Sequence, residues 1–307
     1  MKSVISRFSK KARSNSLAWR YLYNLAPTLA YRANRPQMAG ESLRVLSELN
    51  RNGVAMTTVD ALLGSVDLFD ELDSDVRRIE QEIEPKIQSA RAEAGDEDAV
   101  GRKTFVLPLL GDKPALDPEW IYARFALQKP VLDIANAYMG MYTRLRHYNV
   151  WHTFAAQAQP RESQLWHRDR EDRLILKMFV YLSDVTEDAG PLTYVPGSHM
   201  KGNLKREPAY FLEGVVRRST DEQMSEVAPK DKWIKCTGAK GTIVFADTRG
   251  YHKGGLARQR DRLMYLCMFT SPASQSQELL ARTSDLIPSN QKDLAFALAS
   301  ARRGAWV

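Results

Sequence analysis

The spacing of apolar positions changes period once along the chain. Between residues 41 and about 95, Leu72, Val76, Ile79, Ile83 and Ile87 recur three and four apart, which lines one face of a helix. Pro85 falls inside that stripe and should kink or end the helix, because it has no amide hydrogen and clashes with the preceding turn. Residues 94–101, rich in Gly and charge, link to a short β-like run from Thr104 to Leu110. Asp117 followed by Pro118 predicts a helix start, a side-chain cap with a proline where no helical hydrogen bond is lost. Helical character then runs to about Tyr138, interrupted near Pro130. From Met141 the texture is β: strand-like runs occupy 141–153, 174–182, 191–195, 242–247 and 262–270. Turn chemistry separates them, as in Ala189-Gly190-Pro191 and Pro196-Gly197-Ser198. The tail from about Ser276 returns to helix, with Ala295, Leu298 and Ala299 on one face. A helical half followed by many short strands predicts an α+β chain with a mainly β core, helices packed outside. Four regions follow: a basic segment 1–40, a helical region 41–99, a β domain 100–275 and a helical tail 276–307.

Composition narrows this only a little. With 44% apolar and 26% charged residues in 307, the chain is globular, and no run of eighteen uncharged apolar residues offers a membrane-spanning helix. Two cysteines, Cys236 and Cys267, are too few for a disulfide framework or a thiolate zinc site, and read as buried small hydrophobes in a reducing cytoplasm.

Charge is more informative by place than by total. Of the 44 Lys and Arg, eight (Lys2, Arg7, Lys10, Lys11, Arg13, Arg20, Arg32 and Arg35) precede the first acidic residue, Glu41; the remaining 36 balance the 37 Asp and Glu. The basic pI therefore describes one end, and no nucleic-acid groove is expected in the body. Within residues 2–13, Val4, Ile5, Phe8 and Ala12 fall on one helical face and Arg7, Lys10, Lys11 and Arg13 on the rest. A second segment, Leu17, Tyr21, Leu22 and Leu25 with Trp19 nearby, extends that contact or docks on the body. Residues 1–35 thus read as a peripheral membrane contact, a transit peptide or a plain surface helix. The apolar run 17–31 is broken by Arg20, Asn24 and Pro27, which argues against a secretory signal.

Five histidines narrow the chemistry. Trp166-His167-Arg168-Asp169 sets an imidazole and a carboxylate two residues apart, and in an extended segment both project from one face. His252 follows the β-run Thr242–Asp247 by a short turn. Two imidazoles and one carboxylate on one face of a metal leave three positions open, which suits non-haem Fe(II) and oxygen. Alone, the pair also fits a solvated loop, since Arg168, Arg170, Glu171, Asp172 and Arg173 surround it. Ten residues on, Arg262 opens an apolar strand, and a guanidinium pointing into a barrel needs a carboxylate partner. A dicarboxylate co-substrate would supply one.

Together the run Gln164–Asp169, the strand Lys177–Val185, the turn Gly190-Pro191-Leu192 leading to Pro196-Gly197-Ser198-His199, then His252 and Arg262 resemble the phytanoyl-CoA dioxygenase family over about residues 100–272. The resemblance implies a double-stranded β-helix, or cupin-like jelly roll, and an oxygenase dependent on Fe(II), 2-oxoglutarate and O2. It implies His167, Asp169 and His252 as iron ligands and Arg262 on the distal carboxylate of 2-oxoglutarate. Asp169 argues against halogenation, for which related enzymes lack that carboxylate. Lys177 and Asn149 are further candidates for the co-substrate, although Lys177 also fits a rim lysine. His199 reads as fixing its loop, and His147 and His152 as core or surface residues. Where many members carry a hydroxyl two places after the distal histidine, this chain has Gly254. The expected activity is hydroxylation of an aliphatic C–H, with succinate and CO2 released, on a small or lipid-linked substrate. The alternatives are a metal-dependent hydrolase or isomerase of cupin type and a silent binding protein of the same fold.

Overall fold

The computed structural model describes residues 15–95, 103–208, 217–282 and 291–299. Six antiparallel strands form its main sheet in the order β1-β8-β5-β10-β4-β2. These are β1 (Val54–Thr58), β2 (Val106–Pro108), β4 (Arg144–Thr153), β5 (Leu176–Tyr181), β8 (Thr242–Asp247) and β10 (Arg262–Thr270). A smaller sheet lies in the order β7-β6-β9, from Ile234–Lys235, Leu192–Tyr194 and His252–Gly254. A parallel pair joins β3 (Ala115–Leu116) to β11 (Ala281–Arg282). The fold is a double-stranded β-helix.

The long strands read as unbroken apolar runs because both faces of the main sheet are buried. On β10, Leu263, Tyr265 and Cys267 join the large core, whereas Met264, Leu266 and Met268 face a cavity. On β5 the same alternation sends Leu176, Met178 and Val180 one way and Lys177, Phe179 and Tyr181 the other. The helices cover the outer face. They are α1 (Leu25–Ala33), α2 (Gly40–Asn52), α3 (Val59–Leu63), α4 (Asp67–Glu82), α5 (Glu84–Glu93), α6 (Ile121–Ala126) and α7 (Lys129–Met139). Cys236 and Cys267 are buried free thiols, and burial pushes Cys236 up to about 12.

Several elements differ from the sequence reading. Residues 41–95 are not helical throughout, because β1 crosses them and forms an edge of the main sheet beside β8. Gly53, in the left-handed conformation, turns the chain from α2 into that strand. The apolar stripe breaks where Pro85 is expected to end the helix: α4 stops at Glu82 and α5 restarts with Pro85 in its first turn. The helix expected at Asp117 begins at Ile121: the Asp117 carboxylate accepts from Glu119 N at 2.9 Å and closes a turn ahead of it. In the tail, Ala281–Arg282 is strand, and helix is confined to Lys292–Ala297 among the described residues.

The amphipathic stretch 2–13 lies outside the described residues. The segment after it docks on the body: a helical turn at Ser16–Ala18 runs on as a π turn over Trp19–Tyr23, and Trp19 and Asn24 are buried.

His152 ties α4 and the 255–261 loop to the barrel. Its Nδ1 lies 3.0 Å from Glu80 Oε1 and its Nε2 2.8 Å from Asp261 Oδ2, while Arg91 pairs with Asp261. Burial opposes the imidazolium, but the two carboxylates outweigh it and raise the His152 pKa. A raised folded-state pKa stabilises fully below the unfolded value, near 6.5, and is lost as pH climbs through the folded value. Urea midpoints of wild type and His152→Gln should therefore differ most near about pH 6 and converge toward about pH 9. A gap that widens with pH would refute this pairing.

Candidate metal centre

Backbone pairing assembles the ligand set. His167 and His252 form an antiparallel bridge, with His167 N donating to His252 O at 2.9 Å and His252 N to His167 O at 3.1 Å. Asp169 N donates to Thr248 O at 2.9 Å, which pins the carboxylate to the turn leading to His252. That turn is rigid for a packing reason: a Cβ at Gly250 would lie 1.9 Å from Tyr194 Oη, so only glycine fits. Behind it, Tyr138 donates to the buried Asp247 carboxylate at 2.6 Å and Tyr194 to Asp247 O at 2.7 Å.

The imidazoles are pre-oriented. His167 Nδ1 lies 2.9 Å from Leu165 O and His252 Nδ1 3.1 Å from Gly250 O. A carbonyl only accepts, so each Nδ1 carries the proton and each Nε2 presents a lone pair. Those two Nε2 atoms lie 3.8 and 3.9 Å from Asp169 oxygens, and the three ligand atoms fall within 4.8 Å of one another. Burial holds both imidazoles below their ordinary pKa, so they are neutral. Burial opposes the Asp169 charge, yet the Lys177 ammonium, 2.6 Å from its Oδ2, holds that carboxyl well below the usual range. Two neutral imidazoles, one carboxylate and an open side toward the cavity are the donor set that a non-haem Fe(II) takes. Among the described residues this is the one cluster of three such side chains able to hold a metal.

The cavity between the sheets measures about 270 Å³. Its wall is largely apolar, with Phe105, Trp151, Phe179, Leu192, Met264 and Leu266 facing in. Arg262 lines it and is buried, and its Nη2 reaches only the Thr153 hydroxyl, at 3.5 Å, while its Nε has no partner. Among the described residues no carboxylate lies within ion-pair distance of it. Gly254 is adjacent, since a Cβ there would lie 3.8 Å from Arg262 Nη2.

A family comparison now decides the class: the phytanoyl-CoA dioxygenase (PhyH) model matches residues 50–260. The chain belongs to the phytanoyl-CoA dioxygenase family. Fe(II) and 2-oxoglutarate are accordingly its cofactors, and the donor set fits the metal. The match begins near β1, whose place in the main sheet explains why the family unit starts well before residue 100. Among solved structures, EctD from S. alaskensis with 2-oxoglutarate and 5-hydroxyectoine is 16% identical, with 86% of this chain and 88% of that one covered at a TM-score of 0.50. AviO1 from Streptomyces viridochromogenes Tue57 is also 16% identical, over 78% of this chain and 99% of that one, at a TM-score of 0.48. No curated protein matches the chain.

In this PhyH family member the other candidates separate. Lys177 faces the cavity, paired with Asp169. Asn149 does not line it: its Oδ1 accepts from Leu110 N and Val150 N, and its Nδ2 donates to Gly111 O at 2.8 Å. That amide braces the segment after β2. His199 holds its loop to α2 through Asn50 O at 3.3 Å. His147, read as a core or surface residue, instead lines the cavity with an unpartnered Nδ1, and burial takes its pKa down to about 4. Strand alternation was the available signal, since His147 and Trp151 share the inward face of β4.

His167→Ala, Asp169→Ala and His252→Ala should each lose stoichiometric Fe(II) while keeping the wild-type far-UV circular dichroism. Full iron stoichiometry in any of the three would remove that residue from the centre.

Proposed function

We propose that the chain hydroxylates an aliphatic C–H bond of a small or lipid-linked amphipathic molecule, turning 2-oxoglutarate into succinate and CO2. The observation that carries this reading is the unpaired guanidinium of Arg262 in the cavity that also holds the His167, Asp169 and His252 cluster. A buried charge without a partner costs several kcal/mol, so the site is built to receive an anion there. A hydrolase or isomerase on the same three ligands has no use for it.

When bound, iron and 2-oxoglutarate supply the oxidising chemistry. His167, Asp169 and His252 hold the metal. Arg262 would pair with the distal carboxylate of 2-oxoglutarate. Thr153, its cross-strand neighbour on β4, offers the hydroxyl that Gly254 lacks. Lys177 acts as a positioning residue, gripping Asp169 so that the carboxylate keeps one orientation. The apolar wall excludes water and fits an aliphatic segment, which is the basis for an amphipathic substrate.

Arg262→Leu should raise the 2-oxoglutarate requirement by roughly 30-fold or more, from about 2–5 kcal/mol lost with the charge-assisted pair, and leave Fe(II) affinity nearly unchanged. Succinate release against 2-oxoglutarate concentration, with and without Fe(II), measures both. Wild-type protein that binds Fe(II) but never consumes 2-oxoglutarate, tested with a panel of amphipathic substrates, would favour the hydrolase or isomerase reading.

A further inference from the structure

Seven large apolar side chains stand exposed among the described residues, and five of them crowd into residues 17–29: Leu17, Tyr21, Leu22, Leu25 and Leu29. Leu22, Leu25 and Leu29 recur three and four apart on the outer face of the π turn and α1, whereas Asn24, Thr28 and Tyr31 point inward. Leu17 and Leu22 are 66% and 68% exposed, so the body leaves them in water. Single exposed leucines need no explanation, but a row of this kind marks an interaction surface.

The row is held rigidly. Trp19 Nε1 donates to Asp172 Oδ1 at 2.8 Å, the Arg20 guanidinium to Met139 O and Gly140 O at 3.0 and 3.2 Å, and Ala273 N to Asn24 Oδ1 at 3.1 Å. Tyr142 N adds a bond to Pro27 O at 3.2 Å. With its polar face engaged in this way, the segment can only offer its leucines outward.

Charge identifies the partner. Eight Lys and Arg and no Asp or Glu precede Glu41. Arg32 lies beside the patch with its guanidinium 5.5 Å from the Tyr21 ring. An apolar row beside Arg32, in a stretch of sequence that holds eight Lys and Arg and no acidic residue, matches an anionic bilayer, where leucines enter the acyl boundary and cations meet headgroups. Pairing with a second copy would bring two such basic segments together. No helix of the described chain is long and apolar enough to cross a membrane, so the contact is peripheral.

We propose that residues 17–29 form a docking face for anionic membranes. Its inward side is tied to the segment that carries a metal-ligand candidate: Asp172, the acceptor for Trp19, stands three residues after Asp169.

The test is flotation of the full chain with vesicles of phosphatidylcholine alone or mixed with phosphatidylserine, at low and high salt. Wild type should float with the mixed vesicles at low salt and be released by high salt. Leu22→Ser/Leu25→Ser should weaken that partition at least about tenfold, since each leucine leaves its apolar burial. Lys10→Glu/Lys11→Glu should weaken it on mixed vesicles and not on neutral ones. Leu22 and Leu25 are exposed, and retained Fe(II) stoichiometry checks for both pairs of substitutions that the body is intact. Equal flotation of wild type and Leu22→Ser/Leu25→Ser, or no flotation of wild type, would overturn the proposal. So would a dimer in solution that those leucine substitutions dissolve, which would assign the face to a second copy.

Discussion

A guanidinium buried without a counter-charge sets the terms for the rest of the site. Arg262 is held in the wall between two sheets by the register of β10, with Thr153 opposite on β4 and Tyr181 nearby on β5. Burial lowers its pKa, but an arginine stays charged under any ordinary condition. The other cation that β5 sends into the cavity, Lys177, already has Asp169. Arg262 thus opens, without a counter-charge, onto the same cavity as His167, Asp169 and His252.

Placing those charges depends on a sheet whose two faces are both dry. Because helices α2 to α7 seal the outer face, every second residue of β5, β8 and β10 can be given to the core, and the alternate ones are free to line the interior. The same arrangement lets His167 and His252 meet as a bridged pair. Their approach is thus fixed by backbone hydrogen bonds rather than by the metal, and the imidazoles are turned by the Leu165 and Gly250 carbonyls before any ion arrives.

The metal centre was legible in the sequence because its chemistry restricts residue types and its strands restrict spacing. A His and an Asp two apart are a weak sign alone; it was their order with the later His, Arg262 and the turns between, matched as a whole to the family resemblance, that pointed to the ligand set. The cavity wall was less legible. His147 carries no acidic neighbour in sequence, and only its alternation with Trp151 along β4 marked it as facing the cavity, where it lies opposite Met268. Asn149 has the right strand and the right face, yet its amide is drawn sideways to the backbone of Leu110 and Gly111, a contact between distant segments that no local pattern announces. β1 was hidden for a similar reason: Val54–Thr58 is short, sits between helices, and becomes a strand because β8 offers an edge. In the tail, Ala281–Arg282 pairs with β3, more than 160 residues earlier, against its local helical tendency.

The central claim, that Arg262 exists to hold the far carboxylate of the co-substrate, is tested most directly by removing the charge from each partner in turn. Calorimetric titration of the anaerobic Fe(II)-loaded protein with 2-oxoglutarate and with 2-oxobutyrate, which lacks the distal carboxylate, gives four affinities when repeated on Arg262→Leu. Wild type should prefer 2-oxoglutarate by roughly 30-fold or more, and Arg262→Leu should hold the two nearly equally, because the coupling energy belongs to that pair. An undiminished preference in Arg262→Leu would place the carboxylate on another residue and contradict this account of the site.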